Sequence, residues 1–300
     1  MTAFVDLSFE GPCAHLTLKR PDKLNALDRP MIDAFLDGAR AIEASPEARV
    51  AILSGEGKAF CAGGDIAAWG GLQPLEMWRD WTRAGHRAFE ALARLRVPLI
   101  VVLTGHAFGG GLELAAVGDI RIAESGIKLG LPESGLGMAP GWSGTQRLVR
   151  RFGASVVRRM ALTGAIFPAE EGLPLGLVDE VVAKGEGLTR ASALAADIAK
   201  RGPLAVQMVK AMINAAEGED RDAPIEGLAG ALTAYTEDLA EGVAAFRAKR
   251  SPTFSGQEEV DMNALTRIAV DTSKLNAAMA TFPCDRTMMI DGREAKAPAR

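Results

Sequence analysis

Three consecutive glycines, Gly109 to Gly111, stand just ahead of Glu113 in the stretch GHAFGGGLELA, residues 105–115. The stretch follows an apolar run, VPLIVVLT (97–104), that reads as a buried strand, and it opens what reads as a helix. Glycine lets a backbone approach a ligand closely. The first turn of a helix offers N–H groups with no partner inside the helix. Donors of this kind, with Gly110 N–H the best placed, can stabilise an oxygen as it gains negative charge, and a carboxyl lies about one turn away. A tight strand-to-helix packing turn would use the same glycines. Their spacing does not fit the G-x-G-x-x-G fingerprint of dinucleotide sites.

A second small-residue loop, Ala62-Gly63-Gly64-Asp65, closes the stretch GKAFCAGGD (57–65). Two amides from two such loops could hold one carbonyl oxygen as it becomes an enolate, and losing one donor of this kind typically costs about 3–4 kcal/mol of transition-state stabilisation. Glu113 falls in an otherwise apolar segment, LELAAVG, and Glu133 in LPESG. A helix followed by a returning strand could bring them together. Two acids in a partly apolar cleft can take different protonation states, one as base and one as acid. Each could equally be a structural acid bonded to backbone amides. His106, beside the glycine loop, reads as a structural residue. Trp69, Trp78 and Trp81, with Trp142, fit either an apolar ligand pocket or ordinary core. Lys19, Arg20, Lys23 and Lys58 flank the first loops and could meet phosphates or simply be solvated.

The elements that must position these groups alternate. Strands are expected over Ala3–Phe9, Cys13–Lys19, Arg49–Ser54, Val97–Thr104, Asp119–Ala123 and Ile127–Leu129, with a last short strand or turn over Gly176–Val182. Helices are expected after Asp28, over 83–95 and over Gly110–Val117, with Asp28 and Asp65 as N-caps. The alternation indicates an α/β core. From Leu188 the pattern becomes helical over 188–200, 203–216 and 225–247. The chain therefore reads as an α/β core (1–185), a C-terminal helical subdomain (186–256) and an atypical tail (257–300), possible as one amphipathic helix over 260–279 followed by disorder.

Hydrophobic residues make up 48% of the 300 and charged residues 24%, as in an ordinary globular chain. A net charge of −4 gives no footprint for nucleic acid. No apolar run reaches the roughly 20 residues a membrane-spanning helix needs, and the N-terminal stretch lacks the basic flank and apolar core of a signal peptide. The three scattered cysteines, Cys13, Cys61 and Cys284, argue against a disulfide framework or a zinc site and for a reduced, cytoplasmic setting.

Six stretches taken in order resemble the enoyl-CoA hydratase/isomerase (crotonase) superfamily: KRPDKLNALD (19–28), GKAFCAGGDI (57–66), GHAFGGGLELA (105–115), LGLPESGLGMAPGWSGTQRL (129–148), LTGAIFPAEEGLPLGLVDEVV (162–182) and EDLAEGVAAFRAKRSPTF (237–254). The resemblance covers about residues 3–256. It implies a crotonase-like spiral of ββα units with a C-terminal helical region, assembled as a homotrimer or a dimer of trimers. It implies an acyl-CoA substrate, with coenzyme A part of the substrate and no metal or redox cofactor. The thioester oxygen would be held by the amides of Gly64 and Gly110. Glu133 would protonate the α-carbon, and Glu113 would activate the attacking water. Contacts to CoA are implied at Lys23, Leu24, Ala26, Lys58, Ala62, Asp65, Ile66 and Gly141, with Phe246 and Lys249 reaching CoA on a neighbouring subunit. Many hydratases carry Lys two positions after the loop Asp; here Ala67 stands there. The presence of Glu113 disfavours a pure double-bond isomerase. Gly141, at a position where dienoyl isomerases and hydroxyacyl-CoA hydrolases carry Asp, disfavours those. The reaction implied is reversible hydration of a trans-2-enoyl-CoA to a 3-hydroxyacyl-CoA. The alternatives are enoyl-CoA isomerisation, aryl-propenoyl-CoA hydration with carbon–carbon cleavage, and a silent acyl-CoA binder.

Overall fold

The structure, a computed structural model, describes residues 4–256 apart from Tyr235, together with the backbone of 287–290 and 293–296. The chain divides into two units, residues 1–226 and 227–300.

The first unit begins with an antiparallel pair, β1 (Val5–Glu10) and β2 (Cys13–Leu18). Helix α1 (Arg29–Ala44) follows, its N-terminus closed by Asp28, whose carboxylate accepts from Met31 N at 3.0 Å. The chain then contributes strands in pairs: β3 (Val50–Gly55) and β4 (Ala59–Cys61), β5 (Leu99–Leu103) and β6 (His106–Phe108), β7 (Ile120–Glu124) and β8 (Lys128–Gly130). Between the first two pairs lie α2 (Ile66–Trp69), the turn α3 (Pro74–Glu76), a π-helical stretch (Met77–Thr82) and α4 (Arg83–Ala93). Between the next two lies α5 (Gly110–Ala115). The first strand of each pair joins a six-stranded sheet in the order β1-β2-β3-β5-β7-β10, where β10 is Glu180–Val182. The second joins a four-stranded sheet, β4-β6-β8-β9, where β9 is Ile166–Pro168. Each turn of the chain thus lays one strand in each sheet and returns through a helix, which is the ββα spiral that the sequence leads one to expect.

The large sheet is buried on both faces, so its central strands are continuously apolar. Residues facing one side, among them Leu53, Leu99, Val101 and Leu103, meet α1 and α4 through Phe35, Ile42, Phe89 and Leu92. Residues facing the other side, Val50, Ile52, Ile100, Val102 and Ile122, meet Ala191 and Ala195 of α9 (Gly187–Ala199). The alternation follows the two-residue period of a strand.

Two short strands and one divided helix differ from the expectation, and residues 146–163 add helices to which the sequence assigned no element. The stretches around Ala59–Cys61 and His106–Phe108 read as loops, yet each is a short strand of the second sheet. Three residues are too few to carry a period. Residues 146–163 form two helices, α6 (Gln146–Phe152) and α7 (Ala154–Thr163), parted by Gly153. The single helix expected over 225–247 is two, α11 (Ala223–Ala234) and α12 (Glu237–Ala248), because Thr236 turns extended and its hydroxyl caps α12 by accepting from Leu239 N. Between these lie α8 (Ala169–Gly172) and α10 (Pro203–Glu217).

In the second unit, the segment after α12 folds back on that helix: Glu241 holds Arg250 and Thr253 N, and Asp238 accepts from Ser255 N. The segments 287–290 and 293–296 pair antiparallel. The helix expected over 260–279 lies outside the described residues.

Candidate active site

Three neighbouring parallel strands end at one place. In the small sheet Cys61 pairs with Ala107, and Gly64 and Gly110 each lie three residues beyond those partners. Strand β8 lies on the other side of β6 and ends at Gly130, three residues before Glu133. Loops at the carboxyl ends of parallel strands are where ligands bind in open α/β sheets. Gly64, Gly110, Glu113 and Glu133 all line one cavity of about 400 Å³.

The loop amides face each other. A Cβ placed on Gly110 would sit 3.5 Å from Gly64 N, and one placed on Gly63 would sit 3.4 Å from Gly110 N. Among the described residues neither Gly64 N nor Gly110 N donates to a protein acceptor. One ligand oxygen can therefore receive both. Gly109 makes the turn at φ +53°, ψ −125°, and a Cβ there would meet Glu133 Oε1 at 2.8 Å. Both the backbone conformation and the space require glycine. Gly109→Ala is expected to lower kcat about 5- to 150-fold, since the strain of a side chain here is about 1–3 kcal/mol and tenfold is about 1.4 kcal/mol. Steady-state kinetics beside a melting curve would check it, and an unchanged kcat would mean that Glu133 is not held as described.

Glu113 is 2% exposed. It reaches the cavity from the first turn of α5, and its Oε1 accepts from Trp142 N at 2.7 Å and Gly144 N at 2.6 Å. Burial raises its carboxyl to about 7. The Trp142 and Gly144 bonds oppose the rise, and the nearby charge of Glu133 adds to it. Burial also pushes Glu133 above its ordinary value, and its Oε2 has no hydrogen-bond partner. Two carboxyls raised in one cavity, Glu113 to about 7, can divide the roles of proton donor and acceptor.

Trp142, 3% exposed, packs on Trp81 and Phe89 with ring centroids 5.3 and 5.4 Å apart. Its indole occupies the space that side chains on Gly85 and Gly110 would need. Trp69, Met77 and Trp81 line the cavity, whereas Trp78 points outward, so the tryptophans divide between pocket and surface.

The loops on the cavity's edge are tied together by two side chains. Arg20 donates to Ala26 O at 2.8 Å and pairs with Asp65 at 2.9 Å. Buried Asn25 donates to Glu56 O and Ala59 O, both at 2.9 Å, and accepts from Arg20 N. Leu24 and Asn25 adopt left-handed conformations to do so. Ala62 N donates to Leu24 O, and Leu27 bridges to Gly64. The structure thus brings Leu24, Ala26, Ala62 and Asp65 together, with Lys23 and Lys58 exposed on the same two loops. Ile66 and Gly141 line the cavity itself. Phe246, 86% exposed, and Lys249, which ends α12 in a left-handed conformation, belong to the second unit. His106 accepts from Lys128 N at 3.0 Å, a structural role as expected. Cys61 is buried and its thiol is pushed up to about 12, which makes it a packing residue. His86 and Ser143, which the sequence reading did not single out, also line the cavity and lie 3.0 Å apart. They are 57 residues apart in the chain, and no local pattern joins them.

A larger void of about 640 Å³ lies beside α10, but its buried cations are already paired, Lys210 with Asp119 at 2.7 Å and Arg121 with Asp179 at 2.9 Å. No group of three or more metal-binding side chains occurs among the described residues. None of the described helices is long and apolar enough to cross a membrane.

A family model described as enoyl-CoA hydratase/isomerase matches residues 9–257. The crotonyl-CoA hydratase of Syntrophomonas wolfei is 37% identical over 253 residues, covering 83% of this chain and 96% of that protein. The short-chain-enoyl-CoA hydratase of Clostridium acetobutylicum is 36% identical, covering 82% and 95%. The crystal structure of an enoyl-CoA hydratase from Bacillus anthracis superposes with a TM-score of 0.70 at 31% identity, covering 85% of this chain and all of that one, 100%.

Proposed function

The chain belongs to the enoyl-CoA hydratase/isomerase family, and from that membership we propose that it is a hydro-lyase, adding water reversibly across a trans-2-enoyl-CoA to give a 3-hydroxyacyl-CoA. The observation that carries this reading is the placement of two raised carboxyls, Glu113 and Glu133, in the same cavity as two unpartnered amides.

The amides of Gly64 and Gly110 receive the thioester oxygen. As water adds to the β-carbon, electrons move onto that oxygen and the amides stabilise the enolate. The two carboxyls titrate as a pair, and in the productive form their one proton is on Glu133, so that Glu113, ionised, takes a proton from the attacking water. Glu133, protonated, delivers a proton to the α-carbon. The sum is one water added across one double bond, with both acids restored by a proton passing between them or through solvent. The reaction needs no metal or redox cofactor, and coenzyme A enters as part of the substrate. Its nucleotide end lies along the loops carrying Lys23, Leu24, Ala26, Lys58, Ala62 and Asp65, with Ile66 and Gly141 nearer the acyl group. The named relatives act on crotonyl and short-chain enoyl thioesters, which supports a short acyl group here. Assembly as a homotrimer or dimer of trimers, with Phe246 and Lys249 reaching a neighbour's CoA, and a cytoplasmic setting complete the reading.

The test is the loss of enoyl-thioester ultraviolet absorbance when the purified protein meets crotonyl-CoA, with Glu113→Gln beside it. Fast loss that depends on Glu113, yielding 3-hydroxybutyryl-CoA, is expected. Because the base must be ionised, activity should fall as pH drops through about 7. No absorbance change with crotonyl, longer or aryl enoyl-CoAs, despite CoA binding, would instead mark a silent acyl-CoA binder.

A further inference from the structure

Ser143 lies between the two amides that hold Glu113. Trp142 N and Gly144 N both donate to Glu113 Oε1, at 2.7 and 2.6 Å. Ser143 itself has φ +74°, one of four non-glycine residues at positive φ among those described. A side chain is disfavoured in that region. Gly144 beside it has no room for one, since a Cβ would meet Glu113 Oε1 at 2.5 Å. The turn is therefore tight and strained at the point where it aims N–H groups at the carboxylate. Ser143 is 9% exposed, and its hydroxyl lies 3.0 Å from His86 Nδ1. Helix α4 also meets this turn one residue earlier, where Gly85 leaves space for the Trp142 indole.

We propose that His86 is a positioning residue: its hydrogen bond to Ser143 holds residues 142–144 in the strained turn that presents two amides to Glu113. The inference rests on the hydratase reading and deepens it, giving the carboxylate assigned to water an outer partner on another helix.

The chemistry of the pair suits a fixed contact. Burial keeps the His86 ring below its ordinary pKa; Glu90, one turn along α4, opposes this and Arg147 of α6 adds to it. A neutral ring with Nδ1 unprotonated accepts the Ser143 hydroxyl proton. The charged group acting on Glu113 itself is Glu133. The amide bonds lower the Glu113 pKa, so loosening them must raise it.

The experiment titrates the Glu113 carboxyl by carbon-13 NMR in the full chain, the signal assigned by its loss in Glu113→Gln, alongside kinetics on crotonyl-CoA. His86→Leu and Ser143→Ala are each expected to raise the Glu113 pKa and lower kcat about tenfold, the scale of left-handed strain released, with KM within about twofold. Their effects should not add in the double variant. Glycine adopts φ +74° freely. His86→Leu with Ser143→Gly should therefore recover most of the loss and titrate near the parent. An unmoved Glu113 titration in a folded His86→Leu variant overturns the proposal, as do additive effects or a change in KM alone, which would make His86 only a wall of the cavity. If the parent hydrates no enoyl-CoA, the hydratase reading fails while the titration still decides the role of His86.

Discussion

Glu133→Gln is expected to lower kcat for hydration by about 10²–10⁴-fold, the range for losing a positioned general acid. Its Oε2 is buried without a partner beside the turn at Gly109. Gln fills the same space but cannot deliver a proton to the α-carbon. KM should change little, because the loops tied by Arg20 and Asn25 are untouched. The substitution should also stabilise the protein. The folded-state pKa of Glu133 lies above its ordinary value. The folded state therefore binds its proton more tightly, and the stability this gives is lost as pH rises through the carboxyl's range. Gln has no charge to desolvate, so the variant should melt higher than the parent at about pH 8 and close to it at about pH 4. Turnover within about tenfold of the parent would remove Glu133 from the proton-transfer step.

The largest effect on stability is expected away from the chemistry. Arg147, at the start of α6, and Glu219, just past α10, form an ion pair with side chains 1% and 2% exposed. Two bonds link them, and Arg150 adds a third at 2.6 Å. Burial alone would raise the Glu219 carboxyl, yet the two guanidiniums bring it down to about 2. Glu219→Ala leaves the Arg147 charge buried without its counter-ion, which typically costs about 3–5 kcal/mol. Urea unfolding at neutral pH would read it, and a loss below about 1 kcal/mol would mean that water reaches the guanidinium. In the parent, this pair's stabilisation is present above the ordinary carboxylate range and is lost as pH falls towards about 2. Arg147 N also donates to Ser143 O, so the pair anchors the end of the turn that holds Glu113.

The candidate site was legible where unusual residues fall into local patterns. Three glycines ahead of an acid in an apolar helix, and a small-residue loop ending in a capping Asp, needed no long-range information. Asp28 and Asp65 do cap helices. The apolar strands of the large sheet were legible for the same reason, being long enough to show their composition. What could not be read depends on pairing across the chain. Strands β4 and β6 exist because each lies beside another strand. Arg147 and Glu219 are 72 residues apart, and nothing near either marks it as buried. The turn at Ser143 is set by Glu113 on one side and His86 on the other. The break at Thr236 was visible only as a residue suited to capping, within a stretch whose composition favours helix throughout.

The two duties proposed for the cavity sit on different kinds of scaffold. The amide pair is fixed by strand register in the small sheet. Much of the wall that would meet an acyl group comes from α2, the π-helical stretch and the loop around Leu136–Gly141, none of which is paired into a sheet. Cavity-facing side chains that do not touch the amide loops, such as Leu136 and Met138, can be exchanged without shifting Gly64 against Gly110, whereas Trp69 of α2 donates to Gly64 O at 3.2 Å and Trp142 packs on Gly110. A lineage built this way can change its preferred substrate over generations while the bond-making centre is inherited intact, so selectivity is expected to diverge among descendants faster than reaction type.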